Sequence, residues 1–116
     1  MSFLNYRFRK ASITKINIAE DFSRFPAGRF YEDGEFSAQR FREQLLVPAL
    51  KNYDEVIVDT KGTLGYGSSF LQEAFAGLIT KEGFITEKVL RTLQILPKES
   101  VYNSLITWYI KDVQYK

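Results

Sequence analysis

The chain has no cysteine and no histidine, and only three prolines and one tryptophan among its 116 residues. Without cysteine there is no disulfide, thiolate metal site or thiol nucleophile; without histidine there is no Ser-His-Asp triad, imidazole ligand or imidazole base. Any catalysis would fall to carboxylates, Lys, Arg, Tyr, Ser and Thr. The composition therefore favours a binding or regulatory module over an enzyme, and implies no cofactor and no metal. Charge of one sign is also missing: 16 basic against 14 acidic residues leave +2, too little to signal a polyanionic partner. No run approaches the roughly 18 apolar residues of a membrane helix, and the residues after Met1 lack the apolar stretch of a signal peptide. A cytoplasmic protein without membrane contact is the expectation, since the absence of cysteine suits a reducing compartment.

What is present is core-forming material, 45% hydrophobic and 16% aromatic, in a length that fits one domain over residues 1–116. Leu4, Tyr6 and Phe8 alternate with Asn5, Arg7 and Arg9, the pattern of a half-buried strand, so residues 3–10 are expected as an added edge strand. Residues 13–18 repeat the alternation and complete a hairpin. Arg7, Arg9, Lys10 and Lys15, interleaved with Tyr6 and Phe8, are also what a nucleic-acid surface uses. Charges on an edge that must resist aggregation explain them better, so nucleic acid is not the expected partner.

Residues 21–29 read as a structured loop around Pro26 and Gly28. Ser37 caps a helix with Phe41, Leu45, Leu46, Ala49 and Leu50 on its apolar face and Arg40, Arg42 and Glu43 toward solvent. Pro48 is expected to bend or end its last turn. The β-branched run at 55–59 reads as a central strand covered on both faces. Phe70, Leu71, Ala74, Phe75, Leu78 and Ile79 mark a second helix, ended near Gly83. Residues 91–96 read as a strand closed by Pro97, and Tyr102, Leu105, Ile106, Tyr109, Ile110 and Val113 as a C-terminal helix. The order predicts an α/β fold: a small mixed β-sheet of about four strands with about three helices packed on it.

The segment DTKGTLGYGSSFLQEAF, residues 59–75, carries the candidate site. It places Asp59 at the carboxyl end of the central strand, where open α/β sheets bind ligands. Gly62, Gly65 and Gly67 allow tight turns, and Ser68 and Ser69 fall at a helix start, which favours anions. A structural alternative is a capping box between Ser69 and Gln72. The spacing G-x-x-x-x-G before a hydroxyl imitates a phosphate loop, but serine stands where that loop needs lysine, so nucleotide hydrolysis is not expected. A second cluster, Asp21, Arg24 and Arg29, suits an anion clamp together with Gly65 and Gly67. The stronger reading is that it fixes the loop, with Asp21 capping a short turn and Arg24 or Arg29 pairing with Asp59 or Glu73. Tyr31 and Tyr66 are available as aromatic walls and are given no role.

Three stretches, AEDFSRFPAGRFYEDGEFS, FREQLLVPAL and EVIVDTKGTLGYGSSFLQEAFAGLI, together resemble the STAS-like domain of unknown function found in bacteria and their mobile elements. The likeness spans residues 13–110 and is most specific in GYGSSF-x-x-EAF-x-GL. STAS denotes the sulfate-transporter and anti-sigma-factor-antagonist domain, whose small members are regulators without catalysis of their own. In those antagonists a serine of an Asp-Ser-Ser-Gly-Leu motif at a helix start is phosphorylated by a partner kinase of the histidine-kinase ATPase type, and partner binding is lost. The resemblance lays that serine on Ser69, with Gly67 in place of the aspartate and Phe70 in place of the glycine. It implies a STAS-like, non-enzymatic protein-interaction domain. Its surface would use Ser69, Ser68, Glu73 and Asp59, its partner would be a histidine-kinase-like ATPase, and self-association would run through sheet edges or helices. A phosphate-ligand enzyme built on Gly62–Ser69, Arg24 and Arg29 is the alternative, and nucleic-acid binding by the N-terminal strand the third.

Overall fold

A computed structural model describes residues 11–113. Strand β1 (Ile13–Asn17) leads into a single helical turn, α1 (Ile18–Asp21), capped by the Asn17 side chain. After a loop with a 3-10 turn at Tyr31–Asp33, helix α2 runs over residues 38–52, then β2 (Glu55–Asp59), helix α3 over residues 68–80, α4 (Thr86–Thr92), β3 (Leu93–Leu96) and α5 (Val101–Asp112). The strands lie in the order β1-β2-β3, all parallel, with Ile16 beside Val58 and Val58 beside Ile95.

A sheet that grows in one direction through right-handed crossovers carries its connecting helices on one face, and burial follows that rule. Ile16, Val56, Val58, Leu93 and Ile95 point into the core against Phe41, Leu46 and Leu50 of α2, Phe70, Phe75 and Leu78 of α3, and Ile106 and Ile110 of α5. The other face presents Lys15 and Gln94 to solvent with Ile57 half-buried between them. Gln94 Nε2 donates to Glu55 Oε1 at 2.6 Å across it. The expectation that β2 is covered on both faces is therefore corrected: its burial alternates, with Val56 and Val58 fully buried under the helices and Glu55, Ile57 and Asp59 only partly covered.

The α/β class agrees with the sequence reading, with differences in detail. Among the described residues the sheet has three strands rather than about four and is wholly parallel rather than mixed. The strand expected at 3–10, its hairpin and the basic residues Arg7, Arg9 and Lys10 lie outside the described residues. The strand expected from residue 91 begins at Leu93, because residues 86–92 form α4; two helical turns are too short for periodicity to reveal. Pro48 does not end α2. The ladder widens to a π-helical turn over Arg42–Leu46, and the helix continues to Asn52. Among the described residues, no helix is long and apolar enough to cross a membrane.

Candidate functional site

The loop between β2 and α3 is braced along its length. Thr60 donates from both its amide and its hydroxyl to the Leu96 carbonyl, at 2.9 and 2.8 Å, tying the loop's first residue to β3. Asp59 Oδ1 accepts from the Lys61 amide at 3.0 Å, and Oδ2 lies 3.7 Å from Lys15 Nζ. Gly62 (φ +101°) presses on α1 so closely that a Cβ would come 2.9 Å from the Ala19 Cβ, so both space and conformation demand glycine. Gly65 also has positive φ and faces the Tyr102 hydroxyl. Tyr66 donates to the Thr60 carbonyl at 2.8 Å and meets Tyr102 edge-on at 4.8 Å. Burial, reinforced by the neighbouring Tyr102 and Asp59 and opposed by a Thr63 hydrogen bond, pushes its hydroxyl up to about 12. Tyr66 is thus a neutral strut rather than a ligand wall.

Such bracing matters because of what the loop displays. Leu64 is 80% exposed at its tip, and its amide donates to the Arg24 carbonyl at 3.1 Å. That bond draws in the 21–29 loop, on which Phe25 is 65% exposed beside Pro26. Two large apolar side chains therefore stand out on fixed backbone at the carboxyl end of the sheet, flanked by exposed Arg24 and Lys61. Sequence reasoning missed both, because an exposed apolar residue in a loop has no periodic signature.

Helix α3 begins directly after. Its N-cap is Gly67 (φ −73°), which offers no side-chain cap; Ser68 is exposed and Ser69 half-buried in the first turn. The capping box between Ser69 and Gln72 does not form, because Ser69 sits inside the helix and not at its cap. Gln72 Oε1 instead accepts from Arg29 at 3.3 Å, and a second Arg29 nitrogen donates to the Ser69 carbonyl at 3.4 Å.

Arg29 and Arg24 consequently part company. Arg29 lines a cavity with Gln72, Glu73 and Tyr109, whereas Arg24 lines an open cleft of ≈ 400 Å³ with Asn17, Asp59 and Lys61. They do not converge as a clamp, and neither pairs with Asp59 or Glu73 among the described residues, whose ion pairs there are with Lys15, Arg42 and Lys81. Gly65 and Gly67 are likewise spent on loop and helix geometry. The sheet order also runs without reversal, so these strands lack the switch point at which open α/β sheets form a ligand crevice. Tyr31, offered as the other wall, donates to Glu43 Oε1 at 2.8 Å. This bond, then burial, raises the tyrosine hydroxyl, and chiefly the same bond holds the Glu43 carboxyl low.

Glu73 is only 8% exposed and is held in an ionic cluster. Its carboxylate meets Arg42 at 2.9 Å and Lys81 at 3.0 Å. Arg42 also reaches Glu82 at 2.9 Å. The reading of Arg42 as solvent-facing is overturned: it is 1% exposed. A signal was available, since Arg42 precedes Leu45, Leu46 and Ala49 at helical spacing and so shares their stripe.

The chain belongs to the family of STAS-like domains of unknown function, whose model matches residues 37–97, just over half of it. The match runs from the Ser37 cap of α2 to Pro97 and includes the glycine loop, both serines and the Arg42–Glu73 pair. Comparison with curated proteins and with solved structures gives no match.

Proposed function

We propose that this protein is a non-enzymatic regulatory domain that binds a protein partner through the rim formed by Phe25, Leu64 and the start of α3. In this reading Ser69, with Ser68 beside it, is the residue phosphorylated by a partner of the histidine-kinase ATPase type. The observation that carries it is the pairing of a helix start without a side-chain cap, bearing two serines of which Ser68 is exposed, with a braced loop tip whose leucine is 80% exposed. A large exposed apolar residue on braced backbone suits an anchor that fills a partner's pocket. A phosphate added here brings about −1.5 to −2 charge to a helix end that favours anions, so α3 survives and the change is read at the surface. An acidic partner is expelled, and one with an arginine cluster is drawn in. Asp59, at the foot of the loop, holds it in shape; Glu73 anchors the helix through Arg42 and Lys81. The divergence of Arg24 and Arg29 and the missing phosphate-loop lysine weigh against a phosphate-ligand enzyme.

Intact mass after incubation with ATP and a panel of histidine-kinase-like ATPases tests the switch. One added phosphate that disappears with Ser69→Ala is the expected result. No phosphate across the panel, together with equal partner capture by Ser69→Ala and Ser69→Glu, overturns it. Leu64→Asp should abolish capture while leaving the melting temperature unchanged.

A further inference from the structure

Helices α2 and α3 each leave the α-helical ladder for one π-helical turn, at Arg42–Leu46 and at Gln72–Ala76. In α2 the cause is local. Pro48 has no N–H for the Gln44 carbonyl, and its ring crowds that carbonyl, so the Val47 amide bonds five residues back to Arg42. The second turn has no such cause. Gln-Glu-Ala-Phe-Ala contains no proline, glycine or β-branched residue and is good material for an ordinary helix.

What stands against that second turn is Arg42. Its Nη1 donates to the backbone carbonyl of Glu73 and to the same residue's carboxylate. The carbonyl of residue 73 would serve the amide of residue 77 in an α-helix; here the Gly77 amide turns to Phe75. Gly77 leaves room for the guanidinium: a Cβ would lie 3.0 Å from Arg42 Cζ and 3.2 Å from its Cδ. A side chain inserted into the hydrogen-bond ladder is a recognised cause of such irregularity.

We infer that Arg42 is a positioning residue that pins the register of α3, holding residues 72–76 in the π turn and thereby fixing where Ser68 and Ser69 stand. Without the pin, with residues 77–80 still anchored, return to an ordinary helix turns everything before the π turn by about 100° and shifts it by about 1.5 Å. Phe70 and Leu71, 1% and 0% exposed, would leave the core, and the serines would face a different direction. The pin is independent of phosphorylation, so it stands even if the phosphotransfer assay fails.

The test uses two double variants of the full chain, because Arg42→Met alone leaves Glu73 buried without its arginine and can simply fail to fold. One combines Arg42→Met with Glu73→Gln, which neutralises the pair and keeps the helix length. The other combines Arg42→Met with deletion of Glu73, which also removes the extra residue. Register pinning predicts that the deletion variant melts within a few degrees of the unaltered chain and keeps the Ser68 and Ser69 amide signals in NMR spectra. The length-keeping variant should melt well below it, with those signals displaced. If the length-keeping variant is at least as stable as the deletion variant, or holds the serine signals in place, Arg42 merely balances charge and the inference is overturned.

Discussion

The starts of α2 and α3 are built from similar residues and put to opposite uses. Ser37 is completely buried and its hydroxyl accepts from the Arg40 amide at 3.3 Å, closing the first turn of α2. At α3 glycine takes the cap position and the two serines move inside the helix, leaving the first turn without a side-chain cap. Asn17 and Ser100 close α1 and α5 as Ser37 closes α2. A sealed start spends its hydroxyl on stability, whereas an open start keeps its hydroxyl and amides for a visitor. The braces around the open start, Tyr66, Thr60 and Gly62, hold the loop that leads into it and leave the first turn without a side-chain cap.

The contrast yields measurable differences in stability. Gly77→Ala should have the largest effect, about 1–3 kcal/mol of destabilisation in denaturant melts, because the new methyl group meets the buried Arg42 side chain between the two helices. Ser37→Ala should cost about 1 kcal/mol by the same measurement, through loss of the cap that closes α2.

Tyr66→Phe should cost a comparable amount or less, since the Thr60 carbonyl loses its donor. This brace also has a pH signature. A hydroxyl raised in the folded state from 10.0 to about 12 stays protonated while its unfolded counterpart ionises. Unfolding then releases a proton, and stability falls with rising pH between those two values. Denaturant melts across that window should show the slope in the unaltered chain and a shallower one in Tyr66→Phe. The smallest effect belongs to Ser68→Ala, within about 0.5 kcal/mol of the unaltered chain, as expected of an exposed residue free of capping duty. A loss as large as that of Ser37→Ala would show the start of α3 to be sealed after all.

Much of the scaffold was legible in the sequence. Apolar spacing located α2, α3 and α5, alternation located β1, and Ser37 was identifiable as a cap. The placement of Ser68 and Ser69 at the start of the helix that follows the central strand through the glycine loop was legible as well. Less so were features that depend on partners distant in sequence. Ile57 reads like its neighbours Val56 and Val58, yet it lies on the open face, because coverage depends on which side the crossovers run. Arg24 and Arg29 are five positions apart and diverge, because one belongs to a loop drawn toward Leu64 and the other reaches α3. The charge of Arg42 points to solvent, although its spacing places it on the apolar stripe.

From sequence alone came the α/β class, the order of most elements and the serine-bearing helix start, since these rest on periodicity, turn chemistry and contacts between near neighbours. Tertiary structure alone decided that, among the described residues, α2, α3 and α5 pack on one face of the sheet, that the loop bearing Leu64 is tied to the loop bearing Phe25, and that Arg42 enters the ladder of α3. Each of these joins residues far apart along the chain, and the reward for joining them, burial or a satisfied charge, exists only once the helices have packed.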